Sequence, residues 1–308
     1  MSFTSKIKTE ISEQKYNKLE QISLLSALTK NEDIKETIKI SNENKDVANL
    51  IFNLFKEIYK VIPKITVRKG YNYNKNLIYI IEIKEKIEEI KKDLSIDTNI
   101  PKDYIIADDN LIRSYLKGIF IASGSINDPK TSRYHLEIIT DNLEYGNFIN
   151  NILNDYNLNS KILKRENKYM IYIKEAEKIG DFLRLIGTTK ALLYYEDIRI
   201  YRDHINMTNR LNNCEQANVD RVIETANNQI KDIELIEQYG LELLSEKEQI
   251  VAIYRKKYPD ASLQELSEII SLETNQKITK PGLHHRFDKI KKLAENIRKK
   301  ENQNDWIL

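Results

Sequence analysis

Leu116-Lys117-Gly118-Ile119-Phe120-Ile121-Ala122-Ser123-Gly124 is the stretch on which the fold turns. Asp108 or Asp109 supplies a helix start just upstream, so the apolar run reads as a helix through Ala122. Gly118 lies inside that helix, where glycine costs roughly 1 kcal/mol against alanine. Gly118, Ala122 and Gly124 are small, and so are Ser23, Ser26 and Ala27 in an earlier helix read over residues 12–30. Small residues spaced along one side of a helix let a second backbone approach closely. Packing of these two helices on a pseudo-twofold axis would account for Gly118.

The surrounding pattern repeats. After helix 12–30 comes a strand, Glu36–Ile40, then an amphipathic helix, Asp46–Tyr59, carrying Val47, Leu50, Ile51, Leu54, Phe55 and Ile58. Two alternating strands follow, Lys64–Lys69 and Leu77–Ile83, then a charged helix over 84–94. After Thr98–Lys102 the order returns. A helix leads to a short strand, Ser125–Asn127, and a longer one, Tyr134–Ile139. A helix then spans Asn142–Tyr156, strands Lys161–Arg165 and Tyr169–Lys174 make a hairpin, and helices cover 175–186 and 189–198. Two such halves, about 12–97 and 108–200, point to one duplicated domain, not two independent ones.

A different module follows. Residues 211–239 read as helical. Ser262 and Glu265 stand at capping-box spacing before Leu263, Leu266, Ile269 and Ile270. A second helix begins at Thr279 with Pro281 in its first turn, where the missing N–H costs nothing. Leu283, Phe287, Ile290, Ala294 and Ile297 form its apolar stripe, with His285, Asp288, Lys289 and Lys292 on or near the other side. From 279 to 300 there are eight Lys or Arg against two acids. A basic helix backed by a short capped helix, about Ser262 to Lys292, suits the major groove of double-stranded DNA. The expected connection, Ser271–Ile278, is longer than usual for a helix-turn-helix.

Composition narrows the alternatives. The 308 residues carry a net charge of +2, with positive charge gathered at the C-terminus, as a nucleic-acid footprint requires. One cysteine, Cys214, forms no internal disulfide; it reads as a small buried or half-buried residue. The four histidines have no zinc spacing, and the eight glycines contain no phosphate-binding loop, so no metal and no cofactor is expected. No apolar run approaches the ~18 residues of a membrane span and the N-terminus is unlike a signal peptide. The expectation is a cytoplasmic, nucleoid-associated protein with no membrane partner.

The nine residues 116–124 resemble the signature of LAGLIDADG homing endonucleases, with glycine at the third and ninth positions. Leu25-Ser26-Ala27-Leu28-Thr29-Lys30-Asn31-Glu32-Asp33 is a weaker first copy, and the strand after it is shortened. A LAGLIDADG-like body followed by a helix-turn-helix resembles the WhiA family of bacterial DNA-binding regulators over nearly the whole chain. Supporting segments are Ser125–Pro129, Tyr134–Glu137, Asn209-Arg210-Leu211, Asn213-Cys214-Glu215, Ala217-Asn218, Gly282-Leu283 and His285-Arg286. The fold class is therefore α+β: a pseudo-twofold αββαββα repeat domain, residues 1–205, then a helical linker, 206–239, an all-α DNA-binding domain, 240–300, and a tail, 301–308. The resemblance implies roles in cell division, chromosome segregation or sporulation, and a sigma factor or other transcription protein as a partner.

Cleavage by such endonucleases needs a carboxylate at the eighth position of each copy, where the pair holds divalent metal. Ser123 stands there in the better copy and cannot replace a charged ligand; Glu32 stands there in the weaker one and reads as a solvated helix-end residue. The expectation is a sequence-specific DNA-binding regulator, not an enzyme, with no catalytic residue. Thr279, Lys280, His284, His285, Arg286, Lys289 and Lys292 are the candidate DNA contacts. Lys64, Arg68, Lys69 and Lys75, with Lys161, Lys164, Arg165 and Lys168, form a secondary set on two hairpins, where the same cations would also guard strand edges. The competing readings are a residual endonuclease, a ligand-sensing regulator and a protein-interaction scaffold.

Overall fold

Asp108 starts the helix that decides the fold: its Oδ1 accepts from the Leu111 N–H at 2.9 Å, and α5 runs Asp109–Ser123. The computed structural model describes residues 1–30, 32, 36–70, 77–131 and 133–304. They divide into two compact units, Met1–Asp203 and His204–Leu308.

In the first unit a helix not anticipated from sequence, α1 (Phe3–Ser12), is followed by a break, and the helix expected over 12–30 starts only at Lys18 as α2 (Lys18–Thr29). The break has a local cause. Asn17 accepts from Glu20 N–H at 3.0 Å while the Glu20 carboxylate accepts from Asn17 N–H at 2.8 Å, a reciprocal cap that begins a new helix. Ser2 caps α1, whose Phe3, Ile7 and Ile11 are buried one turn apart. The elements β1 (Ile38–Asn42), α3 (Lys45–Tyr59), β2 (Lys64–Lys69), β3 (Leu77–Ile83) and α4 (Ile87–Asp93) complete the first half. The second half is α5, β4 (Gly124–Ile126), β5 (Leu136–Thr140), α6 (Leu143–Asp155), β6 (Lys161–Arg165), β7 (Lys168–Ile173) and α7 (Ala176–Leu185).

Both sheets are antiparallel. Their orders are β1-β3-β2 and β4-β5-β7-β6, so among the described residues the first half lacks a counterpart of β4. Each half has an asparagine-capped helix after its equivalent strand: Asn44 before α3 and Asn142 before α6. Alternation sends Ile38, Ile40, Ile81 and Ile83 of one sheet, and Leu136, Ile138, Ile171 and Ile173 of the other, into one core.

Helices α2 and α5 cross at their small residues. A Cβ on Gly118 would press into the Leu24 carbonyl oxygen and sit 2.7 Å from Ala27 Cβ. Ala27 and Gly118 are both the third residue of their nine-residue stretch, so the weaker copy has the register read from sequence. Ser23 Oγ donates to Leu111 O at 2.7 Å, and Ser26 Oγ donates to Leu94 O at 2.6 Å, which lets two buried hydroxyls sit in this packing without loss.

One helix, α8, spans Thr189–Tyr239, uniting the two helical segments read separately from sequence. Its start is capped from α1: the Glu10 carboxylate accepts from Lys190 N–H at 2.8 Å and from Ala191 N–H at 2.9 Å. The second unit holds the rest of α8 with α9 (Glu246–Lys257), α10 (Leu263–Thr274) and α11 (Lys280–Asn304). Its core joins Ile233 and Ile236 of α8, Val251 and Ala252 of α9, Leu266 and Ile270 of α10, and Leu283, Phe287, Ile290, Ala294 and Ile297 of α11. Cys214 is exposed on α8, which corrects the expectation of a buried thiol. Its neighbours on the helix, residues 203–221, are exposed as well.

Candidate nucleic-acid interface

Ser262 caps α10 as its spacing predicts: Glu265 N–H donates to Ser262 Oγ at 3.3 Å and Ser262 N–H donates to Glu265 Oε2 at 2.8 Å. The helix continues to Thr274, so the connection to α11 is residues 275–279, shorter than the expected Ser271–Ile278. Asn275 ends α10 in the left-handed region, φ 53°, a position that asparagine tolerates. Ser271 Oγ then accepts from Ile278 N–H at 2.9 Å, drawing the returning chain onto α10. Ile278 is buried, and Gly282 N–H donates to Thr279 Oγ1 at 3.3 Å, so Thr279 opens α11.

This turn sets the polar side of α11 outward. Leu283, Phe287, Ile290, Ala294 and Ile297 are all buried, as read from sequence. Thr279, Lys280, His284, His285, Lys289 and Lys292 are exposed; Arg286 is half-buried. Helical spacing divides them. His285 and Lys292 lie nearly opposite the buried stripe, with Asp288 and Lys289 beside them. Lys280 and His284 lie on one flank, where a groove against α8 is lined by Thr225, Asp232, His284, Asp288, Lys291 and Arg298. Arg298 Nη2 donates to Asp232 Oδ1 at 2.7 Å and holds α11 to α8 there.

Three of the candidates already have protein partners. Lys289 Nζ lies 3.6 Å from Glu248 Oε1 of α9. The Glu248 carboxyl is held below the usual range despite burial, by its bonds to Ser245 and by Lys289. Arg286 donates to Lys247 O of α9 at 3.4 Å. His284 Nδ1 stands 3.2 Å from Asp288 Oδ2. Among the described residues, Lys280, His285 and Lys292 show no such tie. Two further residues bear on the site and were missed in the sequence. Lys277 is exposed in the connection, beside Lys280. Arg255 of α9 is buried, donates to Tyr258 O, Pro259 O and Ala261 O at 3.3, 3.4 and 2.6 Å, and lies 5.5 Å from the Phe287 ring centroid.

In the first unit, Lys64, Arg68 and Lys69 lie along β2, an edge strand, and Lys161, Lys164 and Arg165 along β6, its equivalent edge. Lys168 opens β7 and pairs with Asp141 at 3.5 Å. Lys75 falls outside the described residues. The register puts Lys64 beside Glu82, Thr66 beside Ile80 and Arg68 beside Ile78. It also puts Lys161 beside Tyr172, Leu163 beside Met170, and Tyr172 beside Glu137. Behind each basic edge stands a carboxylate that already has a partner, Glu82 with Lys39 at 3.5 Å and Glu137 with His135 at 3.3 Å.

At the eighth positions, Ser123 closes α5 with its Oγ buried and without a hydrogen-bond partner among the described residues. Glu32 is half-buried, and desolvation pushes its carboxyl above the usual carboxylate range. That differs from the solvated helix-end residue read from sequence. Among the described residues no helix is long and apolar enough to cross a membrane.

Comparison with known proteins gives three adjoining matches. A WhiA N-terminal LAGLIDADG-like domain matches residues 22–97, a WhiA LAGLIDADG-like domain 112–205, and a WhiA C-terminal helix-turn-helix domain 208–294. The probable cell division protein WhiA of Enterococcus faecalis is 40% identical over 313 residues, covering 97% of this chain and 99% of that protein. Its counterpart in Clostridium botulinum is 39% identical over 321 residues, covering 97% and 99%. The crystal structure of full-length WhiA from Thermatoga maritima aligns over 96% of this chain and 99% of its own, with a TM-score of 0.60 and 28% identity. With three WhiA domains following one another along the sequence and relatives about 40% identical matched nearly from end to end, the chain belongs to the WhiA family.

Proposed function

We propose that this protein binds duplex DNA sequence-specifically through α10 and α11 and regulates transcription from those sites. The observation that carries this reading is the outward row of α11, where His285 and Lys292 stand exposed and untied opposite a fully buried apolar stripe. Lys280 and Lys292 serve as phosphate contacts, with Lys277 and Thr279 at the helix start. His285 is the base reader, since a neutral imidazole both donates and accepts. Relatives named as probable cell division proteins support a link between the regulated genes and cell division. A sigma factor or other transcription protein as partner, and roles in chromosome segregation or sporulation, follow from family resemblance.

Selection of bound sequences from a random duplex pool by the full chain tests the reading. Enrichment of one motif is expected, and His285→Ala changes the preferred bases; an unenriched pool contradicts the reading. Lys289 serves differently from its sequence-based role. Part of its charge is answered by Glu248, so Lys289→Ala lowers the salt slope by less than the one unit expected for Lys292→Ala. Equal slopes for the two variants would return Lys289 to the phosphate contacts.

Nuclease activity is lost in this reading. Ser123 brings no charge to a metal, and burial favours the protonated form of Glu32, the opposite of what a metal ligand needs. Supercoiled plasmid incubated with magnesium or manganese is expected to stay uncut. Nicking that Glu32→Gln abolishes would overturn the point.

A further inference from the structure

Among the described residues, the middle of α8 is exposed all round. Every residue from Asp203 to Arg221 is exposed, including Met207 at 64% and Leu211 at 55%. The composition does not favour an isolated helix: residues 204–221 include five asparagines, which are weak helix formers. Most helical stability in proteins comes from packing one face, and this stretch packs none.

One face of it has the spacing of a two-stranded seam. His204, Met207, Leu211, Cys214, Asn218 and Arg221 are separated by alternating steps of three and four residues. Asn218 Nδ2 lies 4.0 Å from Cys214 Sγ, so these two side chains run along the same face. In heptad terms His204, Leu211 and Asn218 take the a positions and Met207 and Cys214 the d positions. An asparagine at a single a position sets register in paired helices.

Charge decides the orientation. Arg210 falls at a g position and Glu215 at the following e position. Five residues apart on one helix, they do not face each other, and no ion pair joins them among the described residues. In a parallel pair, g of one helix meets the next e of the other, so Arg210 would meet Glu215 twice by symmetry. An antiparallel pair would set g against g and e against e, bringing like charges together.

We propose that residues 204–221 of α8 pair with the same residues of a second copy of this chain as a parallel two-stranded coiled coil. The seam is about 27 Å long. Histidine and asparagine within it make the association weak in dilute solution. Two copies brought together on neighbouring sites would pair more readily, because binding becomes effectively intramolecular.

Cys214, the sole cysteine, reports the pairing directly. In a parallel dimer the two thiols face each other across the seam. Diamide then converts them into one disulfide, taking up the two electrons and two protons released. Full-length protein at micromolar concentration is expected to give a cross-linked dimer on a non-reducing gel and a concentration-dependent rise in mass by light scattering. Leu211→Lys weakens association roughly tenfold or more. Arg210→Glu also lowers the cross-linked yield, and the double variant Arg210→Glu with Glu215→Arg restores it. A monomer mass throughout, with cross-linking no greater than in Leu211→Lys, overturns the proposal. So does a dimer that Leu211→Lys and Arg210→Glu leave unchanged. The assay contains no DNA, so its failure leaves the DNA-binding reading standing, and the reverse holds.

Discussion

Gly118→Val is expected to destabilise the first unit by about 3 kcal/mol or more, at the upper end of overpacking costs. That would lower its midpoint of thermal unfolding by roughly 6–12 °C. The new side chain has nowhere to go. Its Cβ alone would push into the Leu24 carbonyl oxygen and Ala27 Cβ, and both belong to the facing helix α2. Backbone on one side and a fixed methyl on the other leave only one response, the separation of α2 from α5. That separation would also strain the bonds from Ser23 to Leu111 and from Ser26 to Leu94. Gly146→Ala is the contrasting variant. Its Cβ would meet the tip of Ile162 at 2.9 Å, a side chain that can turn away, so the cost is smaller. Thermal unfolding of both variants followed by near-ultraviolet circular dichroism checks the ranking. An unshifted midpoint for Gly118→Val would mean that the two helices do not cross at Gly118.

Arg255→Ala is expected to cost about 3 kcal/mol or more in the second unit, comparable to exposing a buried charge network. Arg255 is 1% exposed and, among the described residues, pairs with no carboxylate. Its guanidinium instead gathers three carbonyls from the segment between α9 and α10 and lies over Phe287 of α11. Burial lowers its pKa, yet a guanidinium stays charged in proteins. Truncation leaves those carbonyls without their donor, opens a cavity beside Phe287 and frees the segment that leads into the Ser262 cap. Arg255→Lys should rescue only in part: an ammonium has donors enough, but it falls one bond short of Nη1, the nitrogen that meets all three carbonyls, and it lacks the planar group that lies over Phe287. DNA binding would fall with stability, although no surface charge has changed. Unfolding and limited proteolysis of the full chain decide the matter. A second unit as stable as wild type would show that the three carbonyls are satisfied without Arg255.

Much of the body was legible because its signals are local. Strands β2, β3 and β6 have the bounds read from sequence, although only the middle strand β3 buries side chains and the edges β2 and β6 are largely exposed. The crossing of α2 and α5 was legible in Ser23, Ser26, Ala27 and Gly118, because small side chains inside apolar helices need a reason. The start of α2 is set by Asn17 and Glu20 at capping-box spacing, whereas the expected helix began five residues earlier, at 12. The connection before α11 was set too long. Ser271 and Thr274 read as loop residues, yet their hydroxyls donate back to Ser267 O and Ile270 O, each at 2.7 Å, within α10.

The interface was legible in outline and not in detail. Periodicity placed the buried stripe of α11 correctly and so its outward row. It could not show that Lys289 is answered by Glu248, which lies on another helix far away in sequence. Nor could it show that Arg286 turns to Lys247, or that Arg255 is buried among carbonyls. Cys214 was misread because small apolar residues are usually inside, and nothing local announces that α8 continues alone through that stretch.

The most direct measurement is fluorescence anisotropy of the full chain on duplex DNA that wild type selects, across a salt series, for wild type and Lys280→Ala/Lys292→Ala. Each phosphate contact contributes close to one unit to the slope of log affinity against log salt. The predicted result is weaker binding with the slope shallower by about two units and an unchanged thermal midpoint. Equal affinity and equal slope for the two proteins would contradict the assignment of α11 as the helix that meets DNA.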